Sequence, residues 1–223
     1  MKVLLVVAHP EAKSFNLAMH QTAVNVLQQQ GHEVQCTDLY RMPFDPRSDR
    51  HNFQTVLDPT FLKLGMEENH ATLHNGFVPL IADEHEKLLW CDMMIWQFPL
   101  WWFSVPAILK GWVDRVFSSG RVYGAGRVPY VSGALKGKRA MLSLTTGSPA
   151  SAYEPTGEYG DIYNILKHIH RGMLAYVGFS VLAPEINYAV AHLSAAEREQ
   201  MLSRWEGRLK NLMTEDVFDV GRY

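Results

Sequence analysis

The 223-residue chain lacks both of the glycine-rich motifs that mark the common nucleotide-binding folds. Neither G-x-G-x-x-G nor G-x-x-x-x-G-K-S/T occurs along it. Both motifs act by bringing backbone N–H groups close to a phosphate, so their absence argues against a Rossmann dinucleotide domain and against a P-loop enzyme. Any phosphate that this chain binds has to be held by a different kind of loop.

The sequence also has few cysteines, little net charge and no long apolar run. Cys36 and Cys91 lack the spacing of a disulfide framework or a zinc site, and we expect both to be reduced core thiols in a cytoplasmic protein. His168 and His170 lie close together without a third ligand, so no metal is expected. The net charge of −2 and the absence of Lys/Arg runs argue against nucleic acid and anionic membrane as partners. No segment approaches the roughly 20 apolar residues that span a bilayer.

What the chain does contain is a regular alternation of apolar strands and amphipathic helices. The continuous apolar run from Val3 to Ala8 is typical of a strand covered on both faces, and apolar residues at helical spacing follow it. Further strands are predicted at 33–40, 91–97, 139–144 and 180–188, and helices at 17–30, 81–90, 105–117, 161–177 and 194–212. Residues 41–80 and 118–138 show no regular period. This order predicts one domain over residues 1–223, a doubly wound α/β fold with a five-stranded parallel sheet and helices on both faces.

Three loops at the carboxyl ends of predicted strands carry the residues suited to binding a ligand. The loop from His9 to Asn16 is polar and opens a helix, which favours a phosphate, although helix capping alone also explains it. The loop from Phe98 to Phe103 holds too many aromatic rings for all of them to be buried in a short turn. The loop from Thr145 to Ser148 offers closely spaced N–H groups. Because these three loops share one edge of the sheet, together they suit the phosphate, ring face and ring edge of a flavin.

Three blocks of sequence in and around these loops form a recognisable pattern. They are Ala8-His9-Pro10-Glu11-x-x-Ser14-Phe15-Asn16, Gln97-Phe98-Pro99-Leu100-x-Trp102-Phe103-x-Val105-Pro106-Ala107-Ile108-Leu109-Lys110-Gly111-Trp112, and Ser143-x-Thr145-Thr146-Gly147 followed by Tyr153 and Gly160-Asp161. The pattern resembles the NAD(P)H:quinone oxidoreductases of the flavodoxin-like superfamily, and the resemblance runs from Met1 to about Leu212. It implies a flavodoxin-like fold and a homodimer with its active site at the subunit interface. It also implies non-covalent FAD, with FMN as the alternative, and ping-pong reduction of quinones by NAD(P)H.

The resemblance also implies a role for individual residues, each through its position in a motif. The phosphates and ribityl chain would be held by His9, Ser14, Phe15, Asn16 and Ala18. The flavin ring would run along Pro99, Leu100, Trp101, Trp102 and Phe103, and its pyrimidine edge would meet Thr145, Thr146, Gly147 and Ser148. Arg198 would lie near the adenosine end and Tyr153 beside the flavin. Both substrates would stack on Trp102 and Phe103, with Tyr123 closing the pocket from the partner subunit.

Tyr159 departs from the pattern of the family it resembles. Many family members have a histidine at this position, just before Gly-Asp, and it relays a proton together with the neighbouring tyrosine, so Tyr153 and Tyr159 are the candidate catalytic pair here. A phenol can donate a hydrogen bond but cannot hold the extra positive charge that an imidazole holds near neutral pH. We therefore predict that Tyr159 acts as a neutral donor or only as a wall of the pocket.

Two other functions are compatible with the same sequence. One is a flavodoxin-type electron carrier, although such carriers are usually strongly acidic and use a Ser/Thr-rich phosphate loop, whereas this chain is near neutral and has His9 and Lys13 there. The other is a flavin-binding regulatory subunit that docks on a membrane transporter, since a docking surface has no fixed sequence signature. The sequence does not indicate whether NADH or NADPH is preferred, or which acceptor is natural.

Overall fold

A parallel sheet forms the centre of the structure, a computed structural model that describes residues 1–222; Tyr223, the last residue of the predicted domain, lies outside the described residues. The strands are β1 (Lys2–Val7), β2 (Glu33–Asp38), β3 (Met93–Pro99), β4 (Arg139–Thr145), β5 (Ser180–Val181) and β6 (Glu185–Asn187). Their order is β2-β1-β3-β4-β5, with β6 also pairing to β4, and every pairing is parallel. The predicted parallel α/β fold is confirmed.

Helices cover both faces of this sheet. They are α1 (Phe15–Gln29), α2 (Leu64–His74), α3 (Pro79–Trp90), α4 (Ala107–Val116), α5 (Ile162–Ile169) and α6 (Ala195–Asn211). Helices α1 and α6 enclose one core with Leu5, and α3, α4 and α5 enclose the other with Leu4, because neighbouring residues of a strand point to opposite faces. No helix among residues 1–222 has both the length and the apolar character that crossing a bilayer requires.

Local sequence signals account for where most elements begin and end. All seven residues of β3 are buried, the polar Gln97 included, as a strand covered on both faces requires. The Ser14 side chain caps α1 by accepting a hydrogen bond from the N–H of Leu17 at 3.3 Å. Helix α6 opens with the predicted capping box, in which Ser194 and Glu197 satisfy each other's backbone N–H groups.

The predicted last strand, 180–188, is divided into β5 and β6. Ala140 pairs with Val181, and the next pair along the strands is Ser143 with Glu185. Between these two pairs the outer strand contains one residue more than β4. Pro184 lies in the inserted part and has no N–H to give to a ladder. The division is a bulge that interrupts the pairing with β4, which resumes at β6.

Three further predictions differ from the structure. The segment 41–80, which shows no period in the sequence, contains α2. The single helix predicted at 161–177 is instead α5 followed by a π-helical turn, His170–Ala175. Cys36 is exposed rather than in the core, because β2 is an edge strand, while Cys91 is buried; both are free thiols.

Candidate active site

A cleft of about 420 Å³ opens at the carboxyl ends of β1, β3 and β4. It lies beside the point where the strand order reverses, between β1 and β3, which is where open α/β sheets bind ligands. The cleft brings together ten of the residues predicted to hold a flavin: His9, Ser14, Phe15, Asn16, Pro99, Leu100, Trp101, Thr145, Thr146 and Gly147. Val190 and Ala191 complete its lining. All three predicted loops therefore meet at one cleft.

The polar loop joins the cleft at the first turn of α1. The Ser14 side chain takes the N–H of Leu17, whereas the first-turn N–H groups of Phe15 and Asn16 have no acceptor within the helix and are available to an anion. The Asn16 side chain is buried and donates from Nδ2 to the Thr145 hydroxyl at 2.9 Å. This bond ties the first loop to the third, so the capped first turn of α1 lies beside the third loop.

His9 supplies a neutral donor at the same end of the cleft. Its Nδ1 accepts the N–H of Glu11 at 3.1 Å, and Arg41 donates to the His9 carbonyl at 3.1 Å. Burial lowers the pKa of His9 below its usual value, against the opposing effect of Glu11. Because Nδ1 is the acceptor, this hydrogen-bond network assigns the ring proton to Nε2.

The aromatic turn, Trp101 to Ser104, is tightly folded and partly strained. Its end residues exchange backbone hydrogen bonds of 3.1 and 3.0 Å, and the two central residues, Trp102 and Phe103, have φ of 51° and 56°. Left-handed backbone costs a non-glycine residue roughly 1–2 kcal/mol. Trp102 is 96% exposed, while Phe98 before the turn is fully buried. The sequence predicts that not all the aromatic rings of this loop are buried, and the turn places those of Trp101, Trp102 and Phe103 at the surface.

The third loop is held by its own hydrogen bonds and leaves an open edge. Thr145 accepts the N–H of Leu100 at 2.8 Å, Thr146 donates its N–H to Asn187 at 3.0 Å, and the Thr146 hydroxyl binds the Ser148 carbonyl at 2.8 Å. At Gly147, by contrast, an added Cβ would meet no atom within 4 Å. The backbone at Gly147 therefore borders free space in the cleft.

A row of aromatic rings extends from the turn past the third loop. The ring centroids of Phe103 and Tyr159 are 5.5 Å apart, those of Tyr159 and Tyr153 are 5.3 Å apart, and Tyr188 follows at 5.7 Å from Tyr153. Burial raises the pKa of Tyr153. The Tyr159 hydroxyl makes a long contact of 3.4 Å with Ser148 Oγ. The two candidate catalytic residues are thus adjacent, and Tyr159 is the one nearer the aromatic turn.

Some predicted site residues lie away from the cleft lining. Ala18 lies within α1 and donates its N–H to Ser14, and Arg198 donates to the Leu193 carbonyl. Tyr123 lines a separate cleft with Glu68. Val190 and Ala191 were not predicted. They lie in the segment after the last strand, which begins at the same sheet edge as the other three loops. Because ligands of open α/β sheets bind beyond the carboxyl ends of the strands, this shared edge is the feature from which both residues could have been predicted.

Fold and cleft together define a flavodoxin-like protein with an open cleft at the switch point of its sheet. Residues 1–209 match the family of the flavodoxin-like fold. Over 218 residues the chain is 44% identical to ribosyldihydronicotinamide dehydrogenase (quinone) of Rattus norvegicus, covering 96% of this chain and 93% of that one. It is 40% identical over 215 residues to NAD(P)H dehydrogenase (quinone) 1 of Cavia porcellus, covering 96% and 78%.

A solved structure shows the same likeness in three dimensions. A crystal structure from Klebsiella pneumoniae, assigned as a quinone reductase, is 41% identical and superimposes with a TM-score of 0.93, covering 97% of this chain and 86% of that one. The chain belongs to the NAD(P)H:quinone oxidoreductase family of the flavodoxin-like superfamily, and it is an oxidoreductase.

Proposed function

We propose that this protein is a homodimeric flavoprotein that uses NAD(P)H to reduce quinones by two electrons, with FAD as its cofactor and FMN as the alternative. The observation that carries the proposal is the cleft itself, where a helix-terminal polar loop, an aromatic turn and an open glycine edge meet. The residues fit a phosphate-bearing planar cofactor, because anion donors lie at one end of the cleft and the space beside Gly147 is unfilled.

The bound flavin would supply the two-electron chemistry by accepting and returning hydride. The protein would contribute binding and electrostatics. The N–H groups of Phe15 and Asn16 and the neutral His9 would hold the phosphates, and the N–H groups around Gly147 would face the ring edge where negative charge develops. Donors that are already fixed in place stabilise such charge without reorganisation.

The aromatic turn would form the wall on which both substrates stack in turn. Trp102 and Phe103 present large flat surfaces, and their left-handed backbone is held by the paired hydrogen bonds of the turn. Strain retained at one turn is common where a side chain has to be displayed for function. Stacked rings on this wall would exclude water from the reacting atoms.

A second copy of the chain is the partner that fits the exposed apolar surface. Phe61 is 62% exposed, Leu73 80% and Trp102 96%, and an assembly that covered these side chains would remove their apolar surface from water. Tyr123 does not line the cleft at the strand ends of its own chain. A role for Tyr123 at the quinone site would therefore require the corresponding cleft of a partner subunit. The free thiols of Cys36 and Cys91 are in keeping with a reducing compartment such as the cytoplasm.

The visible spectrum of the purified protein tests the proposal directly. We expect a bound flavin, identified as FAD after release, that is bleached by NAD(P)H and restored by a quinone. A protein that takes up no flavin would refute the proposed function while leaving the fold intact. Bound flavin that NAD(P)H and quinones do not cycle would favour an electron carrier or a regulatory subunit.

Replacing Tyr159 with phenylalanine should change the rate of flavin reduction by less than about twofold, because within residues 1–222 the lost hydroxyl makes only the 3.4 Å contact with Ser148. The ring, with its neighbours Phe103 and Tyr153, is retained. Stopped-flow bleaching by NAD(P)H measures this rate, and Tyr159→Leu, which removes the ring, is the matched comparison. A tenfold or greater loss in Tyr159→Phe would instead assign the hydroxyl a part in proton transfer.

A further inference from the structure

A second cleft, of about 470 Å³, lies between α2, α4 and the π-helical turn. Phe117, Tyr123, Met173 and Tyr176 give it an apolar and largely aromatic lining. Glu68 of α2 also lines it and is only 2% exposed. A buried carboxyl group in an apolar cleft is unfavourable unless each of its oxygens finds a partner.

One oxygen of Glu68 is occupied and the other is free. Oε2 accepts the N–H of Ser119 at 2.7 Å and lies 3.4 Å from the hydroxyl of Tyr123. Among residues 1–222, Oε1 makes no hydrogen bond. The neighbouring Glu67 differs, since both of its oxygens are taken by the N–H groups of Leu57 and Asp58. Glu68 is therefore positioned by one oxygen and able to bind a ligand with the other.

The electrostatics of the cleft keep Glu68 partly protonated. Burial raises its pKa to about 7, against the lowering effects of the hydrogen bonds from Ser119 and Tyr123. Burial, together with Glu68, also raises the pKa of Tyr123 to about 12. The other titratable groups that line the cleft are Asp114 on α4, paired with Lys110, and Tyr176 on the π-helical turn. No ion pair to Glu68 occurs among the described residues, so the carboxyl is a hydrogen-bond donor below neutral pH.

We propose that Glu68 is a specificity-determining residue that donates a hydrogen bond to a carbonyl oxygen of the quinone, whose ring packs against Phe117, Tyr123 and Tyr176. This inference rests on the proposed function, in which Tyr123 of one chain meets the aromatic turn of its partner. The carbonyl oxygen becomes more negative as the quinone is reduced, so the bond strengthens along the reaction. Neutral quinones are favoured, and quinones bearing a carboxylate or sulfonate are disfavoured by the acidic lining.

The test uses 1,4-naphthoquinone, which does not titrate near neutral pH, with the flavin-loaded protein. For the native chain we expect KM to rise about fivefold between about pH 6 and about pH 8.5, as the donor is lost. Glu68→Gln keeps a donor at both values, so its KM should not vary with pH. Glu68→Leu should show the raised KM already at the lower pH. Glu206→Gln, at a half-exposed position on α6 where the side chain pairs with Lys210, should reproduce the native pH dependence.

Binding of the same quinone to the oxidised protein, followed by quenching of intrinsic fluorescence, should give the same pattern in Kd without turnover. A protein that NAD(P)H does not bleach fails at the proposed function, whatever the Glu68 variants do. A native KM and Kd that are flat across this pH range overturn the role of Glu68 alone. That last measurement needs no variant, so it can overturn the role of Glu68 even if the substitutions prevent folding.

Discussion

Replacing Gly147 with valine should yield a folded protein that no longer carries flavin. An added Cβ at this position meets no protein atom within 4 Å, and the backbone there is not left-handed, so the fold has room for the side chain. The space that the valine would enter is the cleft shared with Asn16 and Thr146. Overlap with a bound ring should lower flavin affinity by about a hundredfold, since overpacking a filled site costs 1–3 kcal/mol.

The ratio of flavin to protein absorbance after purification, followed by titration of flavin into stripped protein, measures this effect. Gly207→Val is the matched control, because Gly207 is exposed on α6 and also has open space around its Cβ position. It should keep its full flavin content. Normal flavin binding by Gly147→Val would mean that the ring does not approach the third loop, and the assignment of Thr145 to Ser148 to its pyrimidine edge would have to be abandoned.

The strands and most helices could be predicted because their apolar residues recur with a clear period. Helix α2 could not, and its buried side explains why. The buried residues of α2 are Glu67, Glu68 and Ala71, so two of the three positions facing inward carry acidic side chains. Each carboxylate accepts hydrogen bonds from backbone N–H groups outside the helix, Glu67 from Leu57 and Asp58 and Glu68 from Ser119. A pattern based on hydrophobicity treats such residues as exposed and predicts a loop.

The site could be predicted where it depends on local motifs and topology, and not where it depends on contacts between distant segments. The three loops follow strands whose carboxyl ends share an edge, so their convergence on one cleft follows from the fold. The second cleft depends on contacts between Glu68 and residues more than 50 positions later in the chain. The π-helical turn that lines it at Met173 has no sequence signal that separates it from the ordinary helix predicted there.

Glu84 is the position where a single substitution should cost the most stability. Its carboxylate in α3 is 1% exposed and accepts hydrogen bonds from the Thr37 hydroxyl of β2 at 2.8 Å and from Nε1 of Trp112 in α4 at 2.8 Å. It also pairs with Lys87, whose Nζ lies 2.6 Å away. One carboxylate thus links a strand and two helices on the same face of the sheet.

Glu84→Ala should lower the free energy of unfolding by about 3–5 kcal/mol, because it leaves the ammonium of Lys87 without its counter-ion and the N–H of Trp112 buried without an acceptor. Urea unfolding at one fixed protein concentration measures the difference, since assembly and flavin binding both shift apparent stability. Glu86→Ala on the same helix is the control. Glu86 is 71% exposed and lies 3.7 Å from Arg121, so its loss should change stability by less than about 0.5 kcal/mol. Equal unfolding midpoints for the two variants would show that Trp112 and Lys87 find other partners, and that the carboxylate does not hold α3 to α4.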